Sequence, residues 1–253
     1  MQLGFSPWWL ARVVCAAALM AGVSACNKGN AAGAGGAADS RSGGKAGSYG
    51  LVTQTRPEAP EKYFPHERRA YALCAEVAQH TNAPVKPFPV LPPDFVSERS
   101  TYASDGSRTV VRKVMYTLDG EATPENGCEL RLARSARTDV VSNGQQRSAD
   151  QAPDGQVYME ETEAPPKEPV RASRLAAYAT AKRVNGVALK CSTDGVCIVD
   201  PDLILVADGP RPVQAASRID DARTHGTVLV TEPVSLAVGK PVDPALFSLE
   251  KGN

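Results

Sequence analysis

Tryptophan is almost missing from this sequence. Trp8 and Trp9 are the only two, so everything beyond the tenth residue lacks the largest ring for stacking on sugars. Histidine is nearly as scarce, with His66, His80 and His225. The first two stand at opposite ends of one expected helix, about 21 Å apart at 1.5 Å per residue, too far to share a ligand. Charge is balanced, with 28 basic and 28 acidic side chains, which removes the electrostatic case for nucleic acid. No Gly-x-Ser-x-Gly turn is present to strain a nucleophilic serine, so His225, beside Asp220 and Asp221, reads as a surface histidine near a turn. Asp200, Asp202 and Asp208 lack the spacing and central glycine of a calcium loop. Glu160, Glu161 and Glu163 imitate a glycosidase carboxylate pair, but among prolines and without aromatics they read as a solvated run. The expectation is a non-enzyme with no catalytic residue, no metal and no cofactor.

Long apolar runs are missing too. Behind Arg12, the only charged side chain of the first 26 residues, Val13–Ala25 would rise only about 20 Å as a helix, short of a bilayer core of roughly 30 Å. A basic residue, a short apolar run and small residues behind it predict a secretory signal peptide over residues 1–25. Its end, Val23-Ser24-Ala25-Cys26, resembles the bacterial lipobox. That resemblance implies cleavage between Ala25 and Cys26 and acylation (palmitate among the chains) of the cysteine, which becomes a lipid-bearing N-terminus held in a membrane. Residues 26–62 are rich in Gly, Ala, Ser and Pro and show no apolar period, which predicts a flexible tether of roughly 30–36 Å span. Asn27 stands where such lipoproteins carry Asp when retained in the inner membrane. By resemblance this favours the outer membrane, with the domain facing the periplasm.

Residues 63–253 are then expected to form one folded domain. Four cysteines remain there, Cys74, Cys128, Cys191 and Cys197, and in an oxidising compartment an even count predicts two disulfides. Thr193-Asp194-Gly195 reads as a three-residue hairpin loop with Gly195 left-handed, which sets Cys191 opposite Cys197 at a non-hydrogen-bonded site. Cys74–Cys128 is the remaining pair. The spacing fits neither Cys-x-x-Cys redox chemistry nor a zinc site.

Pro65–His80 predicts a helix, with Ala70, Cys74, Val77 and Ala78 on its apolar face. Ala83–Phe95, with five prolines, must be extended chain, laid over the core by Phe88, Val90 and Phe95. Strand periodicity follows at Thr109–Leu118, where Val110, Val114, Tyr116 and Leu118 share one face and Arg112 is the exception. Further strands are expected at Cys128–Ala133, Gly155–Glu160, Leu203–Ala207, Thr227–Thr231 and Val234–Val238, the last two broken by Pro233. A hairpin turn is expected at Asn143-Gly144, an exposed acidic loop at Glu160–Pro169, and mixed structure at Arg171–Val184. A strand splits Arg131, Arg134 and Arg137 between its faces. Asp243 is expected to cap a short turn that docks Leu246 and Phe247.

The sum is an α+β domain: a curved antiparallel sheet with one or more helices packed on it, stapled by disulfides. The segment Gly226–Gly252, two strands followed by "GKPVDPALFSLEKG", resembles the C-terminal end of lipoprotein-carrier (LolA/LolB-like) half-barrels. That resemblance implies an acyl-chain or hydrophobic-partner site and no catalytic residues, although such strands usually bear tryptophan. Three functions are therefore in view. One is a binding or chaperone-like module for a lipid, lipoprotein or envelope protein, which predicts a concave apolar cavity. Another is a structural or assembly partner of an envelope complex, which predicts an exposed apolar patch. A hydrolase is the least favoured and predicts a polar cleft at His225.

Overall fold

Period-2 alternation dominates the chain from Tyr49 onward, and it builds one long antiparallel sheet. The computed structural model describes residues 47–166, 169–208 and 211–249. The signal segment, Ala25, Cys26 and the tether as far as residue 46 lie outside the described residues. The strands are β1 (Tyr49–Pro57), β2 (Glu98–Ser104), β3 (Thr109–Asp119), β4 (Arg131–Ser142), β5 (Gln145–Gln151), β6 (Val157–Glu163), β7 (Thr180–Val184), β8 (Val187–Cys191), β9 (Cys197–Val199), β10 (Ala207–Asp208), β11 (Arg211–Pro212), β12 (Gln214–Asp221) and β13 (Thr227–Val238). Helices are few: α1 (Pro65–His80), one turn at α2 (Ala172–Leu175) and three short 3-10 turns. Eleven strands join in the order β6-β5-β4-β3-β2-β1-β13-β12-β9-β8-β7, while β10 and β11 pair apart. The expected antiparallel sheet with two disulfides is present, but with far more sheet than a balanced α+β fold.

Hairpin chemistry explains the meander. Asn143-Gly144 and Asn185-Gly186 all have positive φ and turn β4 into β5 and β7 into β8. The largest core cluster unites Tyr49 and Leu51 of β1 with Leu189 of β8 and Val199 of β9, although β13 and β12 stand between. The sheet therefore folds back over itself, and β12 shifts register between Gln214 and Ala216, as a bulge at a corner does. On the opposite face Phe247 packs on Ala103, Val110 and Val140, and the Asp243 side chain accepts from the Ala245 N–H to cap that turn.

Several expectations are corrected. The tether does not run to Lys62: Tyr49–Pro57 is a central strand, with Leu51 wholly buried. Gly, Thr and Gln masked its alternation of Tyr49, Leu51 and Thr53. Pro233 does not break the last strand. It sits at the register shift opposite Thr53, where no ladder N–H is required, and β13 continues through it. Leu203–Ala207 is no strand. Ile204 and Val206 are buried, but Leu203 and Leu205 are exposed and the segment turns on Asp200. On α1 only Cys74 and Ala78 are buried, while Ala70 and Val77 face solvent, because the helix rests on loop residues such as Val85 and Ala122 rather than on the sheet. Leu91 and Phe95 anchor the proline-rich segment, and Val90 is 91% exposed. Four of the ten residues of the expected acidic loop, Glu160–Glu163, belong to β6, an edge strand whose charges point into water.

Candidate functional site

Four features have the chemistry to act. The first is the pair of disulfides. Cys191 bonds Cys197 with a Cα separation of 4.0 Å, and the adjacent Ser192 N–H donates to the Val196 carbonyl at 2.8 Å, so the cysteines occupy a non-hydrogen-bonded site. Cys74 bonds Cys128 across 5.9 Å. Cys128 has φ of 57° and precedes β4, so this bond ties α1 to the β3–β4 connection, not to a strand as expected. Beside it Glu129 accepts from Lys86 and, at 2.7 Å, from Arg131. Hydrogen bonds from Arg131 and then Lys86 hold the Glu129 carboxyl down at about 2. A carboxylate depressed on folding stabilises above its unfolded pKa and ceases to as pH falls through the folded one. Replacing Glu129 by Gln is therefore expected to lower the urea midpoint slightly at pH 6. The difference from the native chain should shrink between about pH 4.5 and 2. Equal midpoints at both ends of that range would refute it.

The second feature is His225. Its Nδ1 lies 2.8 Å from Asp221 Oδ2, and its ring stacks on Tyr63 with centroids 5.6 Å apart. The hydrogen bond from His225, with help from Thr224, holds the Asp221 carboxyl below its ordinary value. The pair closes the β12–β13 turn, where the His225 N–H also donates to the Asp221 carbonyl. Gly226 follows with φ of 76°, and a Cβ there would strike the Lys62 carbonyl. The arrangement pins a turn against an aromatic cluster. Among the described residues no group of three or more His, Cys, Asp or Glu could hold a metal, and Asp200 instead pairs with Lys190 at 3.9 Å.

A pocket of about 180 Å³ is third, lined by Arg56, Pro57, Glu58, Val230 and Glu232. It is charged, and smaller than the 300–1,000 Å³ usual for small-molecule sites. The fourth is the free edge of β6. All seven of its side chains, Val157 through Glu163, are exposed, with Tyr158 at 61% and Met159 at 65%. The Ala152 N–H donates to the Gln156 carbonyl, so alternation turns the backbone groups of Val157, Met159, Glu161 and Glu163 away from β5 and into solvent.

Next to that edge, Arg137 bridges Asp139 and Asp150 at 3.1 and 3.0 Å, and Asp139 accepts from Ser148. Burial alone would raise Asp139, but the bonds from Arg137 and Ser148 outweigh it and the carboxyl falls. As expected of a strand, Arg131 and Arg137 share one face of β4 and Arg134 takes the other. The charged runs thus resolve into paired surface ions and an edge. Sequence reading expected a strand at Gly155–Glu160 but not its continuation to Glu163 or its edge position, because β6 alternates no apolar against polar residues. Comparison with known protein families, with characterised proteins and with solved structures gave no match. No described helix is long and apolar enough to cross a membrane.

Proposed function

We propose that this chain is a periplasm-facing outer-membrane lipoprotein, cleaved after Ala25 and acylated at Cys26. Its domain acts as a non-catalytic module that binds an envelope protein through the β6 edge. The observation that supports this reading is the open strand itself. Four outward backbone positions and a Tyr158–Met159 pair offer the main-chain and side-chain contacts of strand addition. An acyl-chain carrier is the reading that rests on half-barrel resemblance. The exposed apolar residues of β6 favour the related role of an assembly partner. Anchoring at Cys26 would then leave about 22 residues before Tyr49, enough for a root-mean-square reach of roughly 23–28 Å as free chain.

Met159→Pro tests the edge. Proline is tolerated where the N–H faces solvent, so the fold should survive, but an added strand loses a hydrogen bond and meets the ring. Crosslinking from position 158 in intact envelopes is expected to fall at least about tenfold in the proline variant while thermal unfolding is unchanged. Unchanged crosslinking would remove the edge from the function. The anchor is checked separately, by the mass of the N-terminal peptide from membrane-extracted protein.

A further inference from the structure

Arg112 interrupts an otherwise apolar strand face, and the register of the sheet shows that it is not alone. The residues that share its face are Gln54 and Arg56 on β1, Arg99 and Thr101 on β2, Val114 on β3, Arg134, Ala136 and Thr138 on β4, and Arg147 and Ala149 on β5. One arginine therefore comes from each of five consecutive strands: Arg56, Arg99, Arg112, Arg134 and Arg147. No Asp or Glu from those five strands joins them on this face; the flanking strands add Glu161, opposite Arg147, and Glu163 on β6, and Glu232, opposite Gln54, on β13, so the arginines outnumber the acids five to three. The opposite face is mixed, with Arg131 and Arg137 beside Glu98, Asp139 and Asp150. There both arginines are ion-paired, to Glu129, Asp139 and Asp150. Among the described residues none of the five arginines makes an ion pair. Arg56 reaches only the Gln54 amide oxygen, and the buried Nε of Arg112 has no partner at all.

Balanced overall charge thus conceals a sheet whose two faces differ. Along a diagonal, Arg56, Arg99 and Arg112 succeed one another at about 7–8 Å, the spacing of diagonal neighbours on adjacent strands. The Phe247 turn covers this face at one end of the strands, over Val110, and the Tyr63–Phe95 cluster covers it at Tyr116. The strip between stays accessible, with Arg99, Arg134 and Arg147 exposed. Exposed apolar side chains lie on the same face: Leu132, Val157 and Met159.

We propose that this arginine face docks on the headgroup phosphates of an anionic phospholipid bilayer. The planar guanidinium offers paired donors matched to phosphate oxygens. Apolar side chains beside cations are what an interfacial contact uses, since they enter the acyl boundary while the charges stay among headgroups. The choice of a bilayer over another phosphate source rests on the anchoring at Cys26 proposed above, which keeps the domain within reach of such a surface. The face would make the membrane a second ligand and fix which side of the sheet looks at it, leaving the outward backbone groups of β6 and Tyr158, on the other face, to protein partners.

The test uses the mature chain, residues 26–253 carrying Cys26→Ser, so neither an acyl chain nor the apolar signal segment contributes to binding. It is co-sedimented with phosphatidylcholine vesicles, with or without roughly one-third phosphatidylglycerol. Each basic residue near an anionic surface contributes about fivefold in affinity, so Arg99→Gln/Arg112→Gln/Arg147→Gln is expected to lose on the order of 100-fold. The opposite-face control Arg131→Gln/Arg137→Gln should bind as the parent does. Should the triple variant fail to fold, the exposed pair Arg99→Gln/Arg147→Gln carries the same test at about 25-fold. Raising salt from about 0.05 to about 0.5 M should also weaken binding strongly. Equal binding to neutral vesicles, or an equal loss in the control, overturns the proposal. Competition by millimolar inorganic phosphate would overturn the bilayer in favour of a discrete phosphate site. Absence of acyl chains on wild-type Cys26 would sink the anchor and leave the vesicle result standing.

Discussion

A chain begun at Tyr63 is expected to remain unfolded, whereas one begun at Gly47 folds. The difference is β1. It pairs with β2 over Tyr49–Thr55 and with β13 over its whole length, so it is the seam between two halves of the sheet. Without it both partners acquire a bare edge, and Leu51, 0% exposed, leaves the largest core cluster. Burial of one such side chain is worth about 1.5–3 kcal/mol, and Tyr49 leaves with it. Each buried backbone group left unpaired on two strands costs about 1–3 kcal/mol more. Together these exceed the 5–15 kcal/mol that holds a typical domain. Proton NMR dispersion and the cooperativity of urea unfolding distinguish the two chains. A native-like spectrum from the shorter chain would mean that β1 is an accessory strand.

The Cys74–Cys128 bond carries the second large effect. It closes a loop of 54 residues by sequence separation, and chain entropy assigns such closure about 4 kcal/mol, against roughly 2 to 2.5 for Cys191–Cys197, which spans 6. α1 depends on it more than the loop length suggests, because only Cys74 and Ala78 of its sixteen residues are buried. Cys74→Ala/Cys128→Ala is expected to lower Tm by about 8–16 °C and to free the helix first, read as amide exchange in α1 ahead of the sheet. The hairpin pair Cys191→Ala/Cys197→Ala should cost about half as much, with no preferential loss in α1. A larger loss from the hairpin bond would reverse this ranking.

Features written in local chemistry were legible in the sequence. The ends of α1 follow from Pro65 at its first position, and the hairpins from Asn-Gly and from Gly195. The Cys191–Cys197 pairing follows from its turn. Features that depend on partners far away were not. β1 has no apolar run of its own and is a strand because β2 and β13 flank it. Pro233 looks like a breaker until the bulge opposite Thr53 is seen. β6 was expected only as far as Glu160; it has no buried face, and the hydrogen bonds of β5 carry it on to Glu163. The arginine face was visible as a single oddity, Arg112 in an apolar pattern. Its four companions came together only once five strands were set in register.

The central seam also governs when the domain can exist. Thr55 and Thr231 share a hydrogen bond across 176 residues of chain, and the strands that carry them are the first and last of the sheet. The run from β2 to β6 consists of sequence neighbours joined by connections of two to eleven residues, so those contacts close early and at low entropic cost. The seam cannot form until β13 has been made and delivered. A chain made from its N-terminus therefore holds β1 waiting for a partner strand that is made after every other. Until that moment its edge is open to any other strand nearby, and the arrival of β13 is the event that commits the domain to its fold.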